Sequence, residues 1–265
     1  MAREILSGEP LCAVNLTLAY GKRVIQRNLT FSVRRGSVFA VMGGSGCGKS
    51  TVMKAMIGLL RPTAGMVLVN GEDYWGAAEE RRNDIGRRFG VMFQSGALWS
   101  SMTVAENVAL PLQMFTGLNS GSIETLVRLK LSLVGMAGAG DRFPSELSGG
   151  MRRRAGIARA LALDPDILLL DEPSAGLDPI TSKRLDDVIL ELRDGLGATI
   201  MVVSHELPSL LAVCDDGVFL DAETHTAIAH GAPRALREEC DHPMVHAFMT
   251  RERPEPHPEN NHGRQ

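Results

Sequence analysis

The sequence holds no run approaching the roughly 18 apolar residues that a membrane-spanning helix requires. Its opening, MAREILSGEP, has neither an apolar core nor a small-residue cleavage site, so no secretory signal is expected. There is no basic excess. Lys and Arg total 28 against 31 Asp and Glu, and a formal net charge of −3 excludes the global positive field of a nucleic-acid binder. The pairs Arg81–Arg82 and Arg87–Arg88 and the run Arg152–Arg154 are local, and the pairs read as solvated faces. Cysteine is sparse. Cys12, Cys47, Cys214 and Cys240 lie far apart with no CxxC spacing, so no disulfide framework or zinc site is expected. Most of them read as small core residues in a reducing cytoplasm. No internal repeat is evident, so the chain carries one copy of its fold.

What is present is enough for one substantial core, or one core with a subdomain inserted into it, over 265 residues. CAVNLTLAYG, NLTFSVRRGS and SVFAVMGG read as strands broken at Gly21 and Gly36, and MVLVNGE adds a short strand closed by an Asn70–Gly71 turn. Residues 76–88 are charged and helical in pattern, FGVMFQ (89–94) reads as a buried strand, and 96–165 reads as mostly helical. DILLLDEP (166–173) and ATIMVVSHE (198–206) are continuous apolar runs ending in polar residues, the pattern of strands covered on both faces. The helical PITSKRLDDVILELRDGLG between them makes a strand–helix–strand unit, hence a parallel α/β sheet. DGVFLDAETHTAIAHG reads as a closing antiparallel hairpin. From residue 251 onward the chain is polar and proline-rich, and is expected to be disordered.

GGSGCGKS (43–50) satisfies GxxxxGK[ST] between the apolar VFAVM and the helical STVMKAMIGLL. Glycines at this spacing let backbone N–H groups wrap a polyphosphate, and the following helix adds its partial positive charge. Gly43, Gly44, Ser45, Gly46, Cys47, Gly48, Lys49, Ser50 and Thr51 are therefore the candidate phosphate cradle. Lys49 would reach the β- and γ-phosphates and the Ser50 hydroxyl a Mg²⁺ ion. Cys47, inside the loop, is expected to be open to thiol reagents. ILLLDE (167–172) delivers Asp171 and Glu172 to the carboxyl edge of a strand, where open α/β sheets bind ligands. Asp171 suits Mg²⁺, and Glu172 is placed to polarise an attacking water.

LSGGM (147–151) completes a set that resembles the nucleotide-binding subunit of ABC transporters, over nearly the whole chain to about residue 250. The resemblance implies an α/β P-loop NTPase with a RecA-like parallel core, an N-terminal antiparallel β subdomain and an inserted helical subdomain at about 96–165. It implies an ATPase that uses ATP and Mg²⁺ and works as a homodimer. Ser148, Gly149 and Gly150 would cap the γ-phosphate of ATP held by the second copy, and a bare helix start suits that contact. Residue by residue, Gln94 matches the glutamine that senses Mg²⁺ and the attacking water, and His205 the histidine that touches the γ-phosphate. Asp178, in SAGLD (174–178), matches the loop at the dimer seam, and Tyr20 the aromatic that stacks on adenine.

Met151 departs from the common pattern, which ends this signature in glutamine. LSGGM followed by arginines resembles the subfamily serving Mla- and Mce-type phospholipid transport, as do FQSGALWSSMTVAENVALPL (93–112) and DEPSAGLDPITS (171–182). That implies a peripheral subunit on the cytoplasmic face of the inner membrane. Its permease would dock at 95–108, where Leu98, Trp99, Met102 and Val104 are expected to be exposed. A small STAS-type regulatory subunit and an extracytoplasmic lipid-binding protein belong to such systems. Met151 itself has no apolar neighbour in sequence and reads as an exposed thioether. Three arginines in a first helical turn oppose the helix dipole, which points to nearby anions, carboxylates or nucleotide. The alternatives are the same engine driving small-solute import or an envelope signalling complex, or a soluble ABC ATPase on nucleic acid. The last resembles paired cassettes or a long coiled-coil insertion, and this chain has neither.

Overall fold

The computed structural model of the chain describes residues 8–251, so the expected tail lies almost wholly outside the described residues. β1 (Leu11–Tyr20) and β2 (Arg23–Val33) pair antiparallel across a turn at Gly21. Leu29, Phe31 and Val33 alternate inward along β2, the period-2 pattern of a half-buried strand. β3 (Val38–Gly43) is buried throughout and leads to α1 (Lys49–Met56). β4 (Ala64–Val69) and β5 (Glu72–Asp73) close a four-stranded sheet in the order β2-β1-β4-β5. The hairpin between them turns at Asn70 (φ 48°) and Gly71 (φ 80°), two left-handed residues in a two-residue loop.

α2 (Glu79–Gly86) precedes β6 (Phe89–Met92). Then come α3 (Val104–Phe115), α4 (Ser120–Leu133), α5 (Gly149–Ala160) and β7 (Ile167–Asp171). α6 (Pro179–Leu196), β8 (Thr199–Val203), α7 (Leu207–Val213) and β9 (Asp216–Leu220) follow. β10 (Ala227–His230), α8 (Pro233–Glu239) and α9 (Pro243–Thr250) complete the described chain. The second sheet runs β10-β9-β3-β8-β7-β6, parallel except for β10.

This sheet is covered on both faces, which is why its strands read as unbroken apolar runs. Alternation along β3 sends Ala40 and Met42 into a core shared with α3, α4, α5 and α6, while Phe39 and Val41 enter a second core against β1, β2, β4 and α1. Among the described residues no helix is long and apolar enough to cross a membrane.

The expected strand 89–94 stops at Met92, and Gln94–Gly96 forms a 3₁₀ turn. Packing causes the break. A Cβ on Gly96 would lie 2.6 Å from the Arg152 carbonyl oxygen, and one on Gly156 2.8 Å from Gly96 Cα. The turn is pressed onto α5, and Arg159 fastens it by donating to the carbonyls of Ala97 (2.8 Å) and Gly96 (3.2 Å). Helix resumes only at α3, whose start is set by a reciprocal cap. Thr103 Oγ1 accepts from Glu106 N, and Glu106 Oε2 accepts from Thr103 N.

Candidate nucleotide site

The loop 43–50 joins the central strand β3 to α1. Two of its glycines are obligatory. Gly48 takes φ 100° with Ile25 Cγ2 only 2.6 Å from where a Cβ would sit, and Gly43 takes φ 139° with the Leu220 carbonyl at 2.4 Å. No side chain caps α1, so the N–H groups of its first turn remain available to an anion. Lys49 is 8% exposed and folds back to donate to the Gly43 and Gly44 carbonyls, both at 2.9 Å.

A cavity of about 550 Å³ opens over this loop. Ser45, Gly46, Gly48, Lys49, Ser50 and Thr51 line it, together with Tyr20, Gln94, Asp171, Glu172 and His205. Five strand ends, far apart in sequence, converge there. Arg23 and Ile25 also line it, and sequence reasoning missed both. The available signal was the tight turn after Tyr20, which pairs Tyr20 with Arg23. Gly43, Gly44 and Cys47 do not line this cavity; Gly43 and Cys47 are buried and Gly44 is exposed. Cys47 is 1% exposed and burial pushes its thiol pKa up despite Lys49 nearby, so the expected reactivity is corrected: the thiol is sheltered.

The acidic pair divides into two environments. Glu172 sits at φ 48°, an unfavourable backbone for a long side chain, held by its N–H donating to Val203 O at 2.8 Å. Its Oε1 lies 2.7 Å from His205 Nδ1, and Ser204 Oγ donates to Oε2 at 3.4 Å. Asp171 is more enclosed. Burial, and then the Glu172 charge, raise its pKa, against Lys54, Lys49 and a hydrogen bond from Ser50. Its Oδ1 is buried with no hydrogen-bond partner among the described residues.

The signature segment lies away from this cavity. Ser148 is exposed and caps α5, its Oγ accepting from Met151 N at 3.3 Å. Asp178 caps α6 by accepting from Ile180 N (3.1 Å) and Thr181 N (3.0 Å), and the Thr181 hydroxyl first, then these backbone bonds, hold its carboxyl below the usual range. Gly149 is half-buried and Gly150 buried. A Cβ on Gly150 would meet Thr181 Cγ2 at 2.3 Å, so packing of α5 on α6 already demands that glycine.

Among the described residues the arginine run is met by neutral backbone carbonyls rather than by carboxylates: Arg152 donates to Leu147 O (2.6 Å), Arg153 to Ala175 O and Arg154 to Gly135 O (3.0 Å). Arg153 is the innermost, and burial and Arg152 depress its pKa. Met151, expected as an exposed thioether, is half-buried instead and packs on the helical-side core.

The 95–108 segment is less exposed than expected. Trp99 is 59% exposed, Leu98 and Met102 are half-buried, and Val104 is fully buried at the start of α3. Asn107, missed from sequence, holds this segment. It accepts from Trp99 N at 2.7 Å and donates to the carbonyls of Trp99, Met102 and Thr103. A second cavity of about 590 Å³ lies between α2, β6, α3 and α5, with Arg87 stacked 5.4 Å over Phe115 at its edge.

A glycine loop between strand and helix, with an acidic pair at the end of β7, one strand beyond the neighbouring β8, defines a P-loop nucleoside triphosphatase. The ABC transporter family model matches residues 26–175. The ATP-binding protein MlaF of the intermembrane phospholipid transport system of Escherichia coli (strain K12) is 40% identical over 235 residues, covering 89% of this chain and 86% of that one. The probable ribonucleotide transport ATP-binding protein mkl of Mycobacterium tuberculosis (strain H37Rv) is 38% identical over 234 residues, covering 88% and 64%. A post-hydrolysis dimer of the ATP-binding cassette MJ0796, bound to ADP and Pi, superposes with a TM-score of 0.75 at 26% identity, covering 83% and 97%. The chain belongs to the ABC transporter family and is an ABC ATPase. ATPases of these transport systems bind ATP, dimerise and work with membrane permeases.

Proposed function

We propose that this ATPase drives phospholipid transport, as a homodimer on the cytoplasmic face of the inner membrane beneath an integral permease. The lipid assignment is supported by the signature methionine Met151 and by the likeness to the phospholipid-system ATPase. The observation that carries the catalytic reading is the pairing of Glu172 with His205 at the mouth of the phosphate cavity.

Lys49 exchanges its carbonyl partners for β- and γ-phosphate oxygens, and the loop N–H groups hold the remaining charge. Tyr20, half exposed at the end of β1, offers a ring face for adenine. The residues fit Mg²⁺: the Asp171 carboxyl accepts from Ser50 and keeps one oxygen without a partner among the described residues, and Ser50, Asp171 and Gln94 line the same cavity. Mg²⁺ held by Ser50, Asp171 and Gln94 would offset the charge developing on the phosphates. Glu172 accepts the proton of the attacking water. His205 keeps the carboxylate turned inward and reaches the γ-phosphate.

Ser148, Gly149 and Gly150 of a second copy would complete the site, with Asp178 at the seam. Ser148 and Gly149 supply the accessible part of that surface and Gly150 sets the helix spacing beneath it. The permease would dock at Trp99 and in the neighbouring cavity bordered by Arg87 and Phe115, where apolar and cationic groups suit a short amphipathic helix. A STAS-type subunit and an extracytoplasmic lipid carrier are further expected partners.

The test is to purify the chain with its membrane partner, reconstitute it in phospholipid vesicles, and measure ATPase rate against phospholipid and against ribonucleotides as cargo. Copurified phospholipid and a rate that depends on lipid composition support the reading. A rate that follows an added ribonucleotide or another solute, and never lipid, overturns the cargo assignment.

A further inference from the structure

Gln26 is 0% exposed in β2, directly behind the phosphate loop and outside the cavity that the loop lines. Its amide nitrogen donates to two backbone carbonyls, Cys47 O at 2.7 Å and Asp221 O at 2.9 Å. Both partners are obligate acceptors, so the nitrogen is assigned by chemistry. Its Oε1 is buried with no hydrogen-bond partner among the described residues. That acceptor is a cost to folding that leucine or methionine of similar size would avoid. What the amide supplies, and an apolar side chain could not, is the pair of donated bonds.

We infer that Gln26 is a positioning residue that aims the phosphate loop's backbone at the nucleotide. The peptide bonds of the described residues are all trans, and in a trans peptide C=O and N–H point in opposite directions. Drawing the Cys47 carbonyl rearward therefore turns the Gly48 N–H forward, toward the cavity that Gly48 lines. The second bond ties this peptide to a rigid point. Asp221 ends the β9 side of the sheet, its N–H donates to Thr226 O at 3.0 Å, and its Oδ2 accepts from Thr224 N and Oγ1 at 2.8 Å. Arg27 N donates to His225 O at 2.8 Å, so β2 is clamped to the same turn. Gln26 packs tightly against Gly48: a Cβ on Gly48 would lie 3.3 Å from Gln26 Cγ. Arg23 and Ile25, on the same strand, line the cavity, so one strand fixes its wall and the direction of a loop amide.

The inference rests on reading 43–50 as the phosphate cradle. The test uses the purified full-length chain with Mg²⁺, and measures thermal stability and the Kd of ATP, ADP and AMP by competition against a fluorescent ATP analogue. Gln26→Leu is expected to fold with Tm at or somewhat below wild type, since two buried carbonyls lose their donor as the orphaned oxygen is removed, and to weaken ATP and ADP by about tenfold, the loss of one oriented charge-assisted hydrogen bond, with AMP unchanged. Gln26→Met, unbranched, repeats the measurement should leucine not be accommodated. Wild-type ATP affinity in either folded variant, or equal losses for AMP and ATP, overturns the inference. Lys49→Ala separates the two failures. If it retains ATP affinity, the cradle reading falls; if it loses ATP while Gln26→Leu does not, only the role of Gln26 falls.

Discussion

His205 Nδ1 lies 2.7 Å from Glu172 Oε1, although 33 residues separate them in sequence. Parallel pairing of β7 with β8 brings the two together, since Asp171 and Val203 are in register and the strands run on into the cavity, by one residue to Glu172 and by two to His205. Glu172→Gln keeps the shape and one hydrogen bond to His205 but cannot accept a proton. ATP binding should be unchanged, and turnover of the assembled complex should fall at least about 100-fold. Hydrolysis near the wild-type rate would remove Glu172 as the base.

Asp171 gives a prediction with a pH sign. Its pKa is raised in the fold, chiefly by burial and by Glu172, so the native state holds its proton to higher pH than the unfolded chain. Stability from this group is full below the unfolded pKa and is lost as pH rises through the folded one. Asp171→Asn should therefore raise Tm at neutral pH, with a smaller gain in acid, while Mg²⁺-dependent hydrolysis falls by about 100-fold or more. Thermal melts across pH and a rate assay read the two effects. A variant less stable at pH 7 contradicts the electrostatic account.

Gly150 separates packing from ligand contact. Gly150→Ala places a methyl against Thr181 Cγ2 and should destabilise the chain by about 1–3 kcal/mol, the range for overpacking. Thr181→Ser removes that methyl and keeps a hydroxyl for Asp178, so the double variant should recover most of the stability. Denaturant unfolding of the four proteins closes the cycle. Additive losses would show that the two residues do not press on each other.

Trp99 and Phe115, 59% and 48% exposed, should be replaceable without loss of fold. Trp99→Glu or Phe115→Glu is expected to release the chain from its membrane partner while ATP affinity stays within about twofold, since neither touches the nucleotide cavity. Val104→Glu, in contrast, buries a charge in the helical-side core and should prevent folding. Copurification and nucleotide titration distinguish these outcomes. Retention of the partner by both surface variants argues against docking there.

Much of the nucleotide site is legible because its demands are local. Gly43 and Gly48 need backbone conformations and close approaches that only glycine tolerates, and Lys49 and Ser50 follow them directly in sequence. The run ILLLDE announces a buried strand and the acidic pair at its end, since a strand covered on both faces leaves polar residues only at its edge. The parallel sheet follows from the same reasoning, whereas the separate N-terminal antiparallel sheet was implied by the family resemblance, since the buried β3 lies among the early strands yet joins the parallel sheet. The reading of 89–94 went past the true strand end because nothing local marks it. Gly96 and Gly156 are ordinary glycines until α5 is laid against the turn.

Sequence alone therefore determined the phosphate loop, the acidic strand end and the order of strands and helices, all features encoded within a few consecutive residues. Only the tertiary structure decided that Met151 and Val104 turn inward, that Arg152, Arg153 and Arg154 are absorbed by carbonyls, and that Gly150 yields space to Thr181. The same holds for Gln26, whose amide joins β2 to a carbonyl 195 residues away. Each of these depends on which distant backbone or side chain arrives beside the residue. Burial and hydrogen bonding are properties of that assembled neighbourhood, and no window of sequence contains it.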